Sequence, residues 1–354
     1  MKKLINKVED VVTEQLEGLV SAHPELKVSF EPRYVWRDDN QGKVALMSGG
    51  GNGHEPMHAG FIGKGMLTAA CPGEVFTSPT PDQMYECAKQ VDNGNGVLLL
   101  VKNYTGDVLN FETAVELLHA DNVKVGSIVI DDDVAVKDSL YTAGRRGVGA
   151  TVLIEKMVGA AIEKGYDLDE CEALAKRINN NARSFGVALS ACVVPAAGRP
   201  SFILEDNEVE FGVGIHGEPG IERREYTDVD SLVNQMFAEL IDCPPYTRIL
   251  NSWDRVQGVW GSEEVTTDEF KPGSDLIVMV NGLGGTPSSE LYGAYRKVHQ
   301  CCEVAGYKVA HSLVGDYCTS LNMEGFSITL IQADSEMLEL WGEPVNTPAL
   351  RWGC

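Results

Sequence analysis

Positive charge is scarce in this sequence: 29 Lys and Arg stand against 52 Asp and Glu, a formal net charge of -23. A protein that neutralises nucleic-acid phosphates needs clustered basic side chains, and an anionic lipid surface would repel this chain, so nucleic acid and membrane are excluded as partners. Long apolar runs are missing too. The longest weakly polar stretch, Val187 to Ala197, is far shorter than a bilayer span and includes Ser190 and Pro195. The first ten residues interrupt every apolar pair with a polar or charged side chain, so no signal-peptide core is visible. No Cys-x-x-Cys occurs, and the nine cysteines (71, 87, 171, 192, 243, 301, 302, 318 and 354) make an odd total. That pattern suits reduced thiols in a cytoplasmic, soluble protein, where they act as small buried hydrophobes; the adjacent pair Cys301-Cys302 reads as part of a helix.

What is present is a globular composition, 44% hydrophobic and 23% charged over 354 residues, enough for two ordinary domains. The first half alternates short β-branched runs with helical patterns, the signature of an α/β fold with a mostly parallel sheet covered by helices. Strands are expected at Val44–Ser48, Gly96–Lys102 and Val123–Asp131. Thr80-Pro81-Asp82-Gln83 has the form of a helix-initiating capping box, and Asp107–His119 has helical spacing. A long helical pattern, Ala150–Ser184, is interrupted near Gly165. The chain then changes character, which places a domain boundary between 1–184 and 185–354. The second α/β set has strands at Asp275–Asn281, Lys308–Leu313 and Ser327–Ala333, with a helix from Pro287 capped by Thr286. Each domain is expected to be a mostly parallel or mixed sheet flanked by helices. Cys243–Lys271 fits neither pattern well.

The densest motif is Ser48-Gly49-Gly50-Gly51-Asn52-Gly53-His54-Glu55-Pro56, read as a glycine-rich turn after a strand, where backbone amides can approach a small polar ligand. It is either a binding loop or simply a tight turn. Known nucleotide fingerprints fail on spacing: counting from Gly49 puts His54 at the third glycine of G-x-G-x-x-G, and Gly63-Lys64 is followed by Gly65 rather than Ser or Thr. His54-Glu55-Pro56-Met57-His58 matches H-E-x-x-H literally. Four glycines precede it and Pro56 denies a helix interior, so the zinc-peptidase geometry is not expected.

At the end of the strand Gly96–Lys102, Asp107 reads either as a helix N-cap or as a general base for a substrate hydroxyl. Lys102 is either a surface lysine or a donor to a ligand oxygen. His216 stands in a run with four glycines and a proline, Phe211 to Gly220, and is either structural or a nucleophile able to add to a carbonyl. Asp131-Asp132-Asp133 reads as a solvated strand end before a Mg²⁺ site, and Gly144-Arg145-Arg146-Gly147 as surface arginines open to phosphate or a partner.

Taken together, the segments 48–57, 102–111, 130–147, 212–220 and 281–292 closely resemble the DhaK family of dihydroxyacetone kinase subunits. The resemblance runs in the same order from Met1 to Gly353. It implies that His216 adds to the ketone carbon of dihydroxyacetone as a hemiaminal, selecting short ketoses and aldoses over glycerol. By the same resemblance Asp107 deprotonates the attacking hydroxyl, and His54 hydrogen-bonds the substrate and assists proton transfer. Lys102, with the backbone of Gly51, Asn52 and Gly53, holds the substrate's oxygens. No cofactor or metal is expected on this chain. Single-polypeptide relatives carry an added nucleotide domain, whereas this sequence stops at Cys354, so nucleotide and Mg²⁺ are expected on a DhaL-type partner subunit recharged from phosphoenolpyruvate. A homodimer is expected. The alternative is a regulatory paralogue that binds dihydroxyacetone to control a transcription factor. An NAD-dependent oxidoreductase has only fold-level analogy in its favour.

Overall fold

The computed structural model describes residues 2–136 and 144–354. Helix α1 (Val11–Ala22) lays Val12 and Leu16 on the core, and strands β1 (Lys27–Phe30) and β2 (Arg33–Trp36) form a short hairpin after it. There follow β3 (Ala45–Asn52), β4 (Ala69–Val75), α2 (Pro81–Val91), β5 (Val97–Lys102), α3 (Thr105–Ala120) and β6 (Val125–Ile130). They build a six-stranded sheet of order β1-β2-β4-β3-β5-β6, whose last four strands are mutually parallel. Thr80 and Gln83 do form a capping box, with Pro81 in the first turn of α2.

The glycine-rich segment departs from expectation, since β3 does not stop at Ser48 but runs on through Gly49, Gly50 and Gly51 to Asn52. The reason is close approach. A Cβ on Gly51 would sit 2.5 Å from the Thr77 amide nitrogen, so the strand can lie here only without side chains.

The expected long helix is two helices, α4 (Ala150–Glu163) and α5 (Leu168–Asn180). They are separated at Gly165, whose φ of 94° ends the first, and by the Asp167–Glu170 capping box that starts the second. Residues 182–184 are not helical, because strand β7 (Ala182–Ala188) begins there. After it come β8 (Glu208–Phe211), β9 (Glu222–Glu225), α6 (Val229–Ile241), β10 (Thr247–Asp254), β11 (Val259–Thr266), β12 (Asp275–Gly282), α7 (Ser288–Val304), β13 (Lys308–Gly315), β14 (Gly325–Ala333) and α8 (Ser335–Gly342). The second sheet, β13-β12-β14-β7-β8-β9, is mixed; β12 and β13 are its parallel pair. The unassigned region is the β10–β11 hairpin. Thr286 is not the cap of α7. Its hydroxyl donates to the Gly325 carbonyl and accepts the Gly325 amide, while Pro287 takes the N-cap position.

One apolar cluster packs α2 and α3 on the first sheet, and another packs α6 and α7 on the second. The largest lies between the sheets: Leu98, Leu100 and Ile128 of the first meet Ile277, Met279 and Ile331 of the second through α4 and α5. Residues 150–162 of α4 are accordingly all buried, Glu155 and Lys156 included. This shared layer brings the C-terminal ends of β3 and β5 against loops of the second sheet. Among the described residues no helix is long and apolar enough to cross a membrane. The cysteines are all free, but not all buried: Cys243 and Cys301 are half-buried and Cys354 is exposed.

Candidate active site

Lys102 is the last residue of β5 and is fully buried, which overturns its reading as a surface lysine. Its Nζ donates to the Gly49 carbonyl at 3.1 Å and lies 3.9 Å from Asp107 Oδ2. The neighbouring strand must be glycine at this level, since a Cβ on Gly50 would meet Lys102 Nζ at 2.3 Å. Asp107 is the third residue of α3, whose N-cap is Tyr104, so it does not cap the helix by side-chain hydrogen bond. It is 2% exposed, and its Oδ1 has no partner among the described residues. Burial pushes its carboxyl up from the ordinary value, opposed by Lys102 and by the Ser78 hydroxyl. The helix N-terminus favours the carboxylate as well.

His54 follows the glycine strand and is 1% exposed. Its Nδ1 lies 2.8 Å from the Thr319 carbonyl, so Nδ1 carries the proton and Nε2 is bare. The bare nitrogen faces His216 Nε2 at 3.2 Å, across 162 residues of sequence and from one sheet to the other. Both rings are neutral at pH 7. Burial, then His216 and Lys102, lowers His54 well below the usual histidine value; burial, then Lys102 and Arg146, lowers His216 to about 3. His216 therefore donates from Nε2 to His54 in this arrangement, and its buried Nδ1 is a bare nitrogen without a partner among the described residues.

Residues to which the sequence analysis gave no role at this ring hold it in place. Tyr104 meets it in a T-shaped contact at 4.3 Å between centroids, and Phe76 stacks on His54 while making a T-shaped contact with His216. Glu218 accepts the His216 backbone amide at 2.8 Å and binds Arg146, which in turn holds Asp133 and the Gly212 carbonyl. Phe76, Ser78, Tyr104 and His216 line an open cleft of about 500 Å³. Glu218 lay within the quoted glycine-rich run. For Tyr104 and Phe76 the sequence carries no signal beyond neighbourhood.

The remaining candidates separate. Asn52 turns its Oδ1 to the Gly53 amide, which also meets the Glu55 carboxylate, so that amide is already engaged. Gly51 lies two residues beyond Gly49, whose carbonyl accepts from Lys102. The two histidines of the H-E-x-x-H match take different partners: His54 faces Thr319 and His216, His58 faces Glu155 and Lys102. Among the described residues no group of three or more His, Cys, Asp or Glu is placed to hold a metal. The three aspartates are not a solvated strand end. Asp131 is paired with Arg248, Asp132 with the Val148 and Ala150 amides, and Asp133 with Arg146, and all are buried. Arg145 and Arg146, expected on the surface, are each 2% exposed, because these carboxylates and the Tyr246 ring enclose them. Part of the quoted segment 130–147, residues 137–143, lies outside the described residues.

Residues 17–349 match the Dak1 domain. The chain is 61% identical over 355 residues, 100% of both chains, to the PEP-dependent dihydroxyacetone kinase, dihydroxyacetone-binding subunit DhaK of Escherichia coli. Among solved structures it is similar to the dihydroxyacetone kinase operon co-activator Dha-DhaQ, with a TM-score of 0.84 and 30% identity over 97% of this chain and 98% of that one. It is similar also to the dihydroxyacetone kinase of C. freundii, with a TM-score of 0.81 and 33% identity over 98% of this chain and 60% of that one.

Proposed function

The chain belongs to the Dak1 domain family, and from that premise we propose that it is the dihydroxyacetone-binding subunit of a phosphoenolpyruvate-dependent dihydroxyacetone kinase. The observation that carries this reading is the neutral, half-buried His216 touching His54 beside a buried Lys102 and an Asp107 with an unused oxygen. A neutral imidazole has the lone pair that carbonyl addition needs, and an imidazolium does not.

A bare ring nitrogen of His216 attacks the ketone carbon, and the carbonyl π electrons move to oxygen. That oxygen takes up a proton while the ring loses the one on its other nitrogen, so the hemiaminal is neutral and keeps every atom of the ketose. Glycerol, without a carbonyl, cannot be held this way. His54 exchanges protons at the carbonyl oxygen, and Lys102 donates to a substrate hydroxyl. Asp107 accepts the proton of the terminal hydroxyl as that oxygen attacks the γ-phosphorus of ATP, and ADP leaves. Nucleotide and Mg²⁺ are carried by a DhaL-type partner, recharged from phosphoenolpyruvate, which enters by the open cleft. The subunit works in the cytoplasm as a homodimer, where nine free thiols stay reduced.

The co-activator's similarity gives the regulatory reading a specific basis, but its 30% identity stands against 61% for the kinase subunit, and Asp107 has no task in a protein that only senses the ketose. The test is intact-protein mass spectrometry after reductant-free incubation with dihydroxyacetone. Wild type gains the ketose's full mass without loss of water, and His216→Ala gains nothing. A dehydrated adduct would place a Schiff base on lysine and overturn the assignment. Turnover requires the partner and a phosphoryl donor: failure with several cognate DhaL proteins would favour the regulator, and phosphorylation by this chain alone would refute the division of labour.

A further inference from the structure

Two buried ionisable groups have no task in the reaction just described. His58 Nδ1 lies 2.6 Å from Glu155 Oε1, and His58 Nε2 lies 2.9 Å from Lys102 Nζ, so the three side chains form one line from the middle of α4 to the candidate site. All three are buried, Lys102 and Glu155 completely. Burial, then Lys102 and His54, lowers His58 well below the usual histidine value, and the ring is neutral.

An ammonium offers only donors, so His58 Nε2 accepts from Lys102, and the ring's single proton sits on Nδ1 and points at the Glu155 carboxylate. Lys102 spends one N–H on His58 and a second on the Gly49 carbonyl; its third is left for the side where Asp107 stands at 3.9 Å. Burial alone pushes the Glu155 carboxyl well above its usual value, with Lys102 opposing. The line accommodates this. Moving one proton from Nζ to Nε2 and another from Nδ1 to Oε1 gives amine, imidazole and carboxylic acid with the same proton count and the same zero net charge. Only the ammonium form presents positive charge to the Asp107 carboxylate, or to a polarised ketose oxygen, on the open side.

We propose that Glu155, acting through His58, is a positioning residue that supplies the counter-charge of Lys102 and aims its third N–H at a ketose oxygen. This rests on the reading that Lys102 holds the substrate. It also gives Glu155 a partner in a helix buried on every side, where an unpaired carboxylate would be strongly destabilising.

The test is a cycle of Glu155→Gln and Lys102→Met, read as the dihydroxyacetone concentration that half-fills the His216 adduct. Glutamine keeps an acceptor oxygen for Nδ1–H and removes the charge. In the wild-type background Glu155→Gln raises that concentration about 10–100-fold, the size of loss found when the hydrogen bond behind a metal ligand is cut. In the Lys102→Met background the same change moves it by less than about threefold, because the group it acts through is gone. An equal effect in both backgrounds, or none in the first, overturns the inference. If Glu155→Gln does not fold, the double variant decides: recovery of the folded circular dichroism spectrum supports coupling between the two charges, and continued unfolding makes Glu155 merely structural. Absence of any adduct in wild type would instead sink the functional reading.

Discussion

Strands β5 and β6 run side by side, with Lys102 paired to Ile130, and each ends in a knot of buried charge. The two ends are built alike and finished differently. Beyond β6, Asp131 takes two guanidinium contacts from Arg248 and one from Asn179. Asp132 takes the amides of Val148 and Ala150 and the Ser184 hydroxyl, and Asp133 takes Arg146 and the Ala135 amide. Every one of these oxygens has a partner. Beyond β5, Asp107 Oδ1, Tyr104 Oη, His216 Nδ1 and, behind them, Glu155 Oε2 have none among the described residues. A buried polar atom left without a partner costs about 1–3 kcal/mol, a cost that the proposed ligand would relieve at this cluster. In the proposed reading, the saturated carboxylates hold the fold together and the unsaturated groups beyond β5 await the ketose.

The comparison breaks most severely at Asp107. Asp107→Asn keeps size and removes the base, so the rate of phosphorylation in the reconstituted system falls about 10²–10⁴-fold, while the adduct on His216 still forms. Its unfolding free energy stays level or rises, since a buried carboxylate is exchanged for a neutral amide; a large loss of stability would put Asp107 in the structural class with its neighbours across the sheet.

The opposite behaviour is expected at Arg248, which carries Asp131 on two nitrogens and pins the β10–β11 hairpin to the end of β6. Arg248→Ala leaves a buried carboxylate unpaired and lowers the unfolding free energy by about 3–5 kcal/mol in urea titration. The adduct in whatever remains folded is unchanged in affinity. An affinity change larger than the stability loss would dissolve the distinction between the two strand ends.

This distinction was not legible in the sequence, and the reason is physical. Asp131 to Asp133 and Lys102 to Asp107 both read as polar residues at strand ends, and what separates them is whether a partner arrives from far along the chain. Arg248 and Ser184 do so for the first group; for the second, His58 and Glu155 supply only one side. Local signals fared better. The strands around 97–102, 125–130 and 275–282, the Thr80 capping box and the break at Gly165 were set by periodicity and turn chemistry within a few residues. Thr286 failed as a cap because a strand 39 residues away takes its hydroxyl, and the glycine-rich turn proved to be a strand because Thr77 presses on it. His58 was visible only as half of a zinc-site spacing. Its working partner lies 97 residues away on α4, a separation no pattern reading bridges.

The finest test of the comparison is the titration of Asp132, which asks whether full hydrogen bonding cancels the cost of burial. Burial raises its pKa to about 6, against opposing hydrogen bonds from Ser184, Val148 and Ala150. The folded value lies above the unfolded one, about 3.9, so the native state holds the proton more tightly and this residue's contribution is most favourable below pH 4. It weakens as pH rises through 6. Between pH 5 and 7 wild type should lose about 1–2 kcal/mol of unfolding free energy relative to Asp132→Asn. The substitution sets an amide donor against backbone donors and lowers stability at both pH values, but by an equal amount, so the difference between the two pH values isolates the carboxyl's own titration. Curves that stay parallel from pH 5 to 7 would mean that three hydrogen bonds suffice to keep a wholly buried carboxylate ionised. Saturation would then remove the electrostatic cost altogether, and the contrast with the unpartnered oxygens around Lys102 would sharpen.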